Sequence, residues 1–141
     1  MSELLRGVVV SHAELAAALV VAVRSISGVD GALEAVSNEG CDPEALAARI
    51  DQAIARRPAV LFVDLPGGSC LTSALRLSRG RASVAVVTGV NLAMLLDFVF
   101  HRELSPADAA RRAAQAGGQA IRTPAAPSAP TAPAAPAAPA A

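Results

Sequence analysis

Lysine is missing from this chain. All of the twelve basic residues among its 141 are arginine, and twelve Asp and Glu balance them to a formal net charge of zero. This weakens the reading of a P-loop nucleotide site, because its lysine has to reach the β- and γ-phosphates. A nucleic-acid partner is not expected either, since neutralising phosphates needs a basic excess on one face. Trp and Tyr are absent and Phe occurs three times, although 53% of the residues are hydrophobic. Cysteine is limited to Cys41 and Cys70, a pair without metal-site spacing and too few for a disulfide framework. No apolar run reaches the roughly 18 residues of a membrane span; Glu14 and Arg24 bracket the nearest, AELAAALVVAVRSISG. The amino terminus does not resemble a signal peptide, because Glu3 precedes Arg6 and no cleavage pattern follows. These absences describe a reduced, cytoplasmic protein with no direct membrane insertion.

What is present falls into two parts. The last 19 residues, Thr123 to Ala141, contain no charge and nothing larger than Thr. Proline recurs there at 124, 127, 130, 133, 136 and 139, a period of three. Polyproline II has three residues per turn, so this tail is expected to be an extended rod rather than part of a core. Residues 1–122 are the size of one domain, and 123–141 form a disordered Ala/Pro-rich tail.

Within that domain, short apolar runs alternate with helical patterns. Leu4 to Val10, Ala59 to Asp64 and Ala82 to Thr88 are nearly continuous apolar segments, as expected of strands covered on both faces. Ala32 to Ser37 is a weaker strand candidate. Between them lie helix signals: Gly28 closing Ala13 to Ile26, and Asp42-Pro43 opening a helix with Leu46, Ile50 and Ile54 on one face. Ser69 is expected to cap a helix reaching about Arg79, and another helix runs from about Leu92 to Phe100. Ser105 to Asp108 starts an alanine-rich helix with cap, proline and acidic first turn in place. Gly117-Gly118 are expected to end it before a last short strand. The class is α/β, with helices on both faces of a doubly wound, mostly parallel sheet. The flavodoxin-like strand order 2-1-3-4 makes the first and third strands neighbours at the switch point, where sites form beyond their carboxyl ends.

That edge receives Ser11-His12 from the first strand and Asp64-Leu-Pro-Gly67-Gly68-Ser69 from the third. Each feature alone has a plain structural reading, because turns are rich in such residues. Together they make a chemical site. A carboxylate that accepts the proton of one imidazole nitrogen turns the other, bare nitrogen outward as a nucleophile. The backbone N–H groups of Gly67, Gly68 and Ser69 open the next helix and suit an oxyanion. His12 and Asp64 are therefore the candidate catalytic pair, and Gly67, Gly68 and Ser69 the candidate phosphate cradle. No metal or other cofactor is required, because amide donors can take up transition-state charge. Asn91 is read as a helix cap in preference to a residue lining the crevice, and His101 as a surface helix-end residue where nothing acidic or apolar suggests a site. A hydrolase using Ser69 or Cys70 fits poorly, since PGGSC is not a nucleophile elbow.

The strand ending in His12, the segment VLFVDLPGGS (Val60–Ser69) and the segment VTGVNLAMLLDFV (Val87–Val99) resemble one family over about Leu5 to Arg122. It is the enzyme IIA component of the mannose-type (mannose-fructose-sorbose) bacterial phosphotransferase system. The resemblance implies that His12 takes a phosphoryl group from the carrier HPr and passes it to a IIB component. It implies that Asp64 hydrogen-bonds the imidazole and that Ser69 with its loop holds the phosphoryl group. It also implies a homodimer exchanging an antiparallel carboxyl-terminal strand, placed here over Gly117–Arg122. A stand-alone regulatory module, whose His12 phosphorylation a partner reads, is the alternative. Three positions depart from the family pattern: Ala13 where Gly is common, Pro66 where an aromatic residue is frequent, and Cys70 where Pro is usual. Ala13 is expected to alter partner fit more than chemistry, and Cys70 to be buried and inert.

Overall fold

Four apolar segments pair side by side in the computed structural model, which describes residues 3–125. They are β1 (Arg6–Ser11), β2 (Leu33–Ser37), β3 (Ala59–Val63) and β4 (Val84–Thr88). All pairings are parallel and the order is β2-β1-β3-β4. The central strands are β1 and β3, and β3 is buried along its whole length. At the edges, β2 and β4 are buried at two positions each, with β2 exposed at Glu34 and Ala35 and the rest of both strands partly buried. This is the burial a continuous apolar run demands of a strand covered on both faces.

Among the described residues, five helices cover the sheet: α1 (Leu15–Ser27), α2 (Pro43–Ile54), α3 (Gly68–Ser78), α4 (Leu92–Val99) and α5 (Pro106–Gln119). The period-two alternation of strand side chains divides the core. Val9, Val60 and Phe62 pack with Val23, Leu95, Phe98 and Ala113 from α1, α4 and α5. Val8, Val10, Leu61 and Val63 pack with Leu46, Ile50, Ile54 and Ala74 from α2 and α3. The fold is therefore the doubly wound three-layer α/β sandwich expected from the sequence.

Local signals act where they were anticipated at several helix ends. Gly28 takes the left-handed conformation after α1, with φ of 73°. Asp42 accepts a hydrogen bond from the Ala45 amide at 2.7 Å, with Pro43 in the first turn. Ser105 accepts from the Asp108 amide at 3.2 Å. Each satisfies a terminal donor or acceptor that the helix cannot pair internally.

Two boundaries differ from the sequence-based expectation. Ser69 is not the cap of α3; Gly67 occupies that place, and Ser69 lies in the first turn. Nor do Gly117 and Gly118 end α5 ahead of a strand. They sit inside the helix, and residues 120–122 form no strand. Gly117 is there because α4 approaches closely. A Cβ on it would lie 2.9 Å from Met94 Cε and 3.2 Å from Asn91 Oδ1. Asn91 Nδ2 also donates to the Gly117 carbonyl at 3.0 Å. Apart from Thr123, Pro124 and Ala125, the expected polyproline tail lies outside the described residues.

Candidate functional site

Sheet order decides what meets at the carboxyl edge. Val10 of β1 pairs with Val63 of β3, so the next residues of both strands emerge together. The Asp64 amide still donates to the Val10 carbonyl at 3.2 Å, extending the ladder one step. His12 and Asp64, 52 positions apart in sequence, consequently meet: His12 Nδ1 lies 2.7 Å from Asp64 Oδ2. The same oxygen accepts the His12 backbone amide at 2.9 Å, while Oδ1 accepts the Leu65 amide at 3.0 Å.

These contacts fix the ring's tautomer. Burial works against ionisation of Asp64, but the hydrogen bonds from the His12 ring and amide, with the charge of His12, outweigh it. The carboxyl is held below its ordinary value of 3.8. An ionised carboxylate can only accept, so Nδ1 carries the proton and Nε2 of the neutral ring keeps its lone pair. The His12 side chain is 45% exposed and that of Asp64 only 9%. A largely buried carboxylate thus orients a ring that remains reachable by another protein.

The remaining predicted residues lie in the β3–α3 connection. Gly67, Gly68 and Ser69 are exposed at the amino end of α3. Gly68 has φ of 88°, a conformation that a Cβ disfavours. The amides of this first helical turn have no intrahelical acceptor and carry the positive end of the helix dipole.

Other side chains shape the site in ways that single-sequence signals did not mark. Ser11 is fully buried and its Oγ accepts the Ala16 amide at 2.7 Å, capping α1 from a distance. Asn38, just past β2 on the same edge, accepts the Ala13 amide through Oδ1 at 3.3 Å. Ala13 itself adopts φ of 52°. Its departure from glycine therefore bears on backbone strain next to His12, beyond the partner fit expected from the sequence. Cys70 is fully buried, as expected, but its Sγ lies 4.0 Å from His12 Nδ1. Burial and then the negative charge of Asp64 push its thiol pKa up, opposed by a hydrogen bond with Ser69. Asn91 is a helix cap, accepting the Met94 amide at 2.9 Å. His101 differs from expectation: its Nδ1 donates to the Asp97 carbonyl at 2.7 Å, with the Asp97 carboxylate 3.6 Å away. The helical i,i+4 relation that joins them is visible in the sequence.

A flavodoxin-like parallel sheet carrying a carboxylate-held, exposed histidine at its switch point is the class this architecture defines. Residues 7–115 match the family described as the PTS system fructose IIA component, and the chain belongs to that family. No curated protein matches the sequence. Among solved structures, the mannose/sorbose-specific IIA subunit of the phosphotransferase system from Enterococcus faecalis is similar with a TM-score of 0.77 and 21% identity. That alignment covers 92% of this chain and 100% of the other. The phosphotransferase system component EIIA from Streptococcus agalactiae gives 0.77 at 17% identity, covering 84% and 96%. A sigma-54 interaction domain protein from Enterococcus faecalis gives 0.68 at 12% identity, covering 84% and 94%. At these identities the structural likeness establishes a shared fold.

Proposed function

We propose that this IIA component is a phosphohistidine carrier, with His12 as the acceptor and Asp64 as the residue that orients it. The observation that carries this reading is the 2.7 Å contact between His12 Nδ1 and Asp64 Oδ2 on a ring open to solvent. Nε2 attacks the phosphorus of phospho-HPr; its N–P bond forms as the donor's N–P bond breaks, and the donor imidazole leaves with the electron pair. Positive charge then accumulates on the His12 ring, facing the carboxylate. The amides of Gly67, Gly68 and Ser69 stabilise the phosphoryl oxygens. The reverse sequence of bond changes delivers the group to a IIB component. The functional unit is a cytoplasmic homodimer of the 1–122 domain, with 123–141 as a tail outside it.

The test is incubation of the full chain with phosphoenolpyruvate, enzyme I and HPr, followed by mapping of acid-labile phosphate. Wild type is expected to take up one label on His12, and His12→Ala none. Asp64→Asn is expected to slow uptake by about 10- to 100-fold, the scale on which loss of a carboxylate partner affects an imidazole ligand. Label surviving in His12→Ala refutes the assignment. Label that forms but does not move to IIB favours the regulatory role.

A further inference from the structure

The carboxylate–imidazole pair has a third chemical neighbour. Cys70, in the first turn of α3, is fully buried with its sulfur directed at the imidazole. One donor atom each from His12, Asp64 and Cys70 all lie within 4.8 Å of one another.

These three donors suit a particular class of cation. Imidazole nitrogen, thiolate sulfur and carboxylate oxygen are the ligand types of tetrahedral zinc, at about 2.0–2.3 Å from the metal. Such bond lengths place the nitrogen and sulfur about 3.5 Å apart, and the nitrogen and oxygen about 3.4 Å. The observed separations are 4.0 Å and 2.7 Å. Each differs from the required edge by less than about 1 Å, within reach of small side-chain rotations. Two anionic ligands neutralise a divalent ion, and a water would complete the tetrahedron. Hard cations such as magnesium prefer oxygen and do not seek a thiolate.

We propose that His12 Nδ1, Asp64 Oδ2 and Cys70 Sγ form a site for a zinc-class divalent cation whose occupancy blocks phosphorylation of His12. On binding, the thiol proton leaves to solvent as the metal–sulfur bond forms. The metal also takes the lone-pair position on Nδ1, so the one proton of the neutral ring moves to Nε2. That nitrogen then has no lone pair with which to attack phosphorus. The blocking step rests on the carrier role proposed above; the cation site does not. The transfer itself needs no metal, and the site acts as a brake on it.

The full-length chain would be titrated with Co²⁺ and with Zn²⁺ against a chromophoric chelator. Wild type is expected to bind one equivalent and to show a thiolate-to-cobalt charge-transfer band. Cys70→Ser and Cys70→Ala should lose that band and weaken Zn²⁺ binding by at least about tenfold, the lower scale for disturbing even an outer-shell metal partner. Cys41→Ser should keep both, because Cys41 is not in the cluster. Circular dichroism checks that each variant is folded, and the cobalt spectrum of wild type needs no variant at all. In the phosphorylation assay, Zn²⁺ should lower the wild-type rate and chelation restore it, while the ratio of rates with and without Zn²⁺ approaches one for Cys70→Ser. A cobalt complex without a thiolate band, or a band retained in both Cys70 variants, overturns the site. Cation binding that leaves phosphorylation unchanged overturns the blocking step. Should the metal-free protein take no phosphate, the carrier role fails while the cobalt experiment still judges the site.

Discussion

At Ala13, the residue after the candidate nucleophile, the chain holds an alanine in the left-handed region. A Cβ in that conformation costs roughly 1–2 kcal/mol, partly offset in glycine by the greater freedom of the unfolded chain. Ala13→Gly is therefore expected to stabilise the protein by about 1 kcal/mol in denaturant unfolding. Asp64 gives a pH-dependent expectation with a definite sign. Its folded pKa lies below the ordinary 3.8, so the folded state binds its proton less readily than the unfolded chain does. The stabilisation is complete well above that value and disappears as pH falls below it towards the folded pKa. Acid titrations of Asp64→Asn should show a shallower loss of stability below about pH 4 than wild type. Equal slopes would show that the carboxylate is not held by His12 in solution.

Among the elements, the central strands tolerate little added volume. Gly7 in β1 faces Leu33 Cδ2 and the Phe98 ring, and a Cβ would lie 2.5 Å and 2.7 Å from their nearest atoms. The Leu33 methyl can rotate away, but Phe98 is buried and packs edge-on against Phe62, with centroids 5.0 Å apart. Gly7→Ala is expected to cost about 1–3 kcal/mol, the usual range for overpacking a core, measured by thermal or denaturant unfolding. The α4–α5 contact shows why two adjacent glycines were misleading. They stop helices when nothing else holds the segment. Here Met94 and Asn91 of the neighbouring element occupy the space that a side chain at Gly117 would need, and close packing keeps the helix intact.

For the whole molecule, the two core clusters among the described residues draw on positions from Leu5 to Ala113. The Ala/Pro segment offers no large apolar side chain to either. Deleting residues 123–141 should shift the thermal midpoint by less than about 2 °C, since a change of 1 kcal/mol would already move a domain of this size by several degrees. A larger drop would mean that the tail packs on the domain. No described helix is long and apolar enough to cross a membrane. The family match over residues 7–115 spans the same sandwich.

Patterning by itself determined the order and type of nearly every element, because buried parallel strands and capped helices have local chemical signatures. Leu4–Val10 announced β1 to within a residue or two, and Asp42-Pro43 and Ser105-Pro106 marked their helix starts. The sequence also presented His12 and Asp64 as strand-end residues, and the common strand order suggested their meeting. Other outcomes depended on contacts between segments far apart in the chain. The strain at Ala13, the support from Ser11 and Asn38, the helical place of Gly117 and the approach of Cys70 to the imidazole have no local signature. Periodicity reports which face of an element is apolar, whereas the distance between two side chains depends on how whole layers pack, and only the tertiary structure decides that.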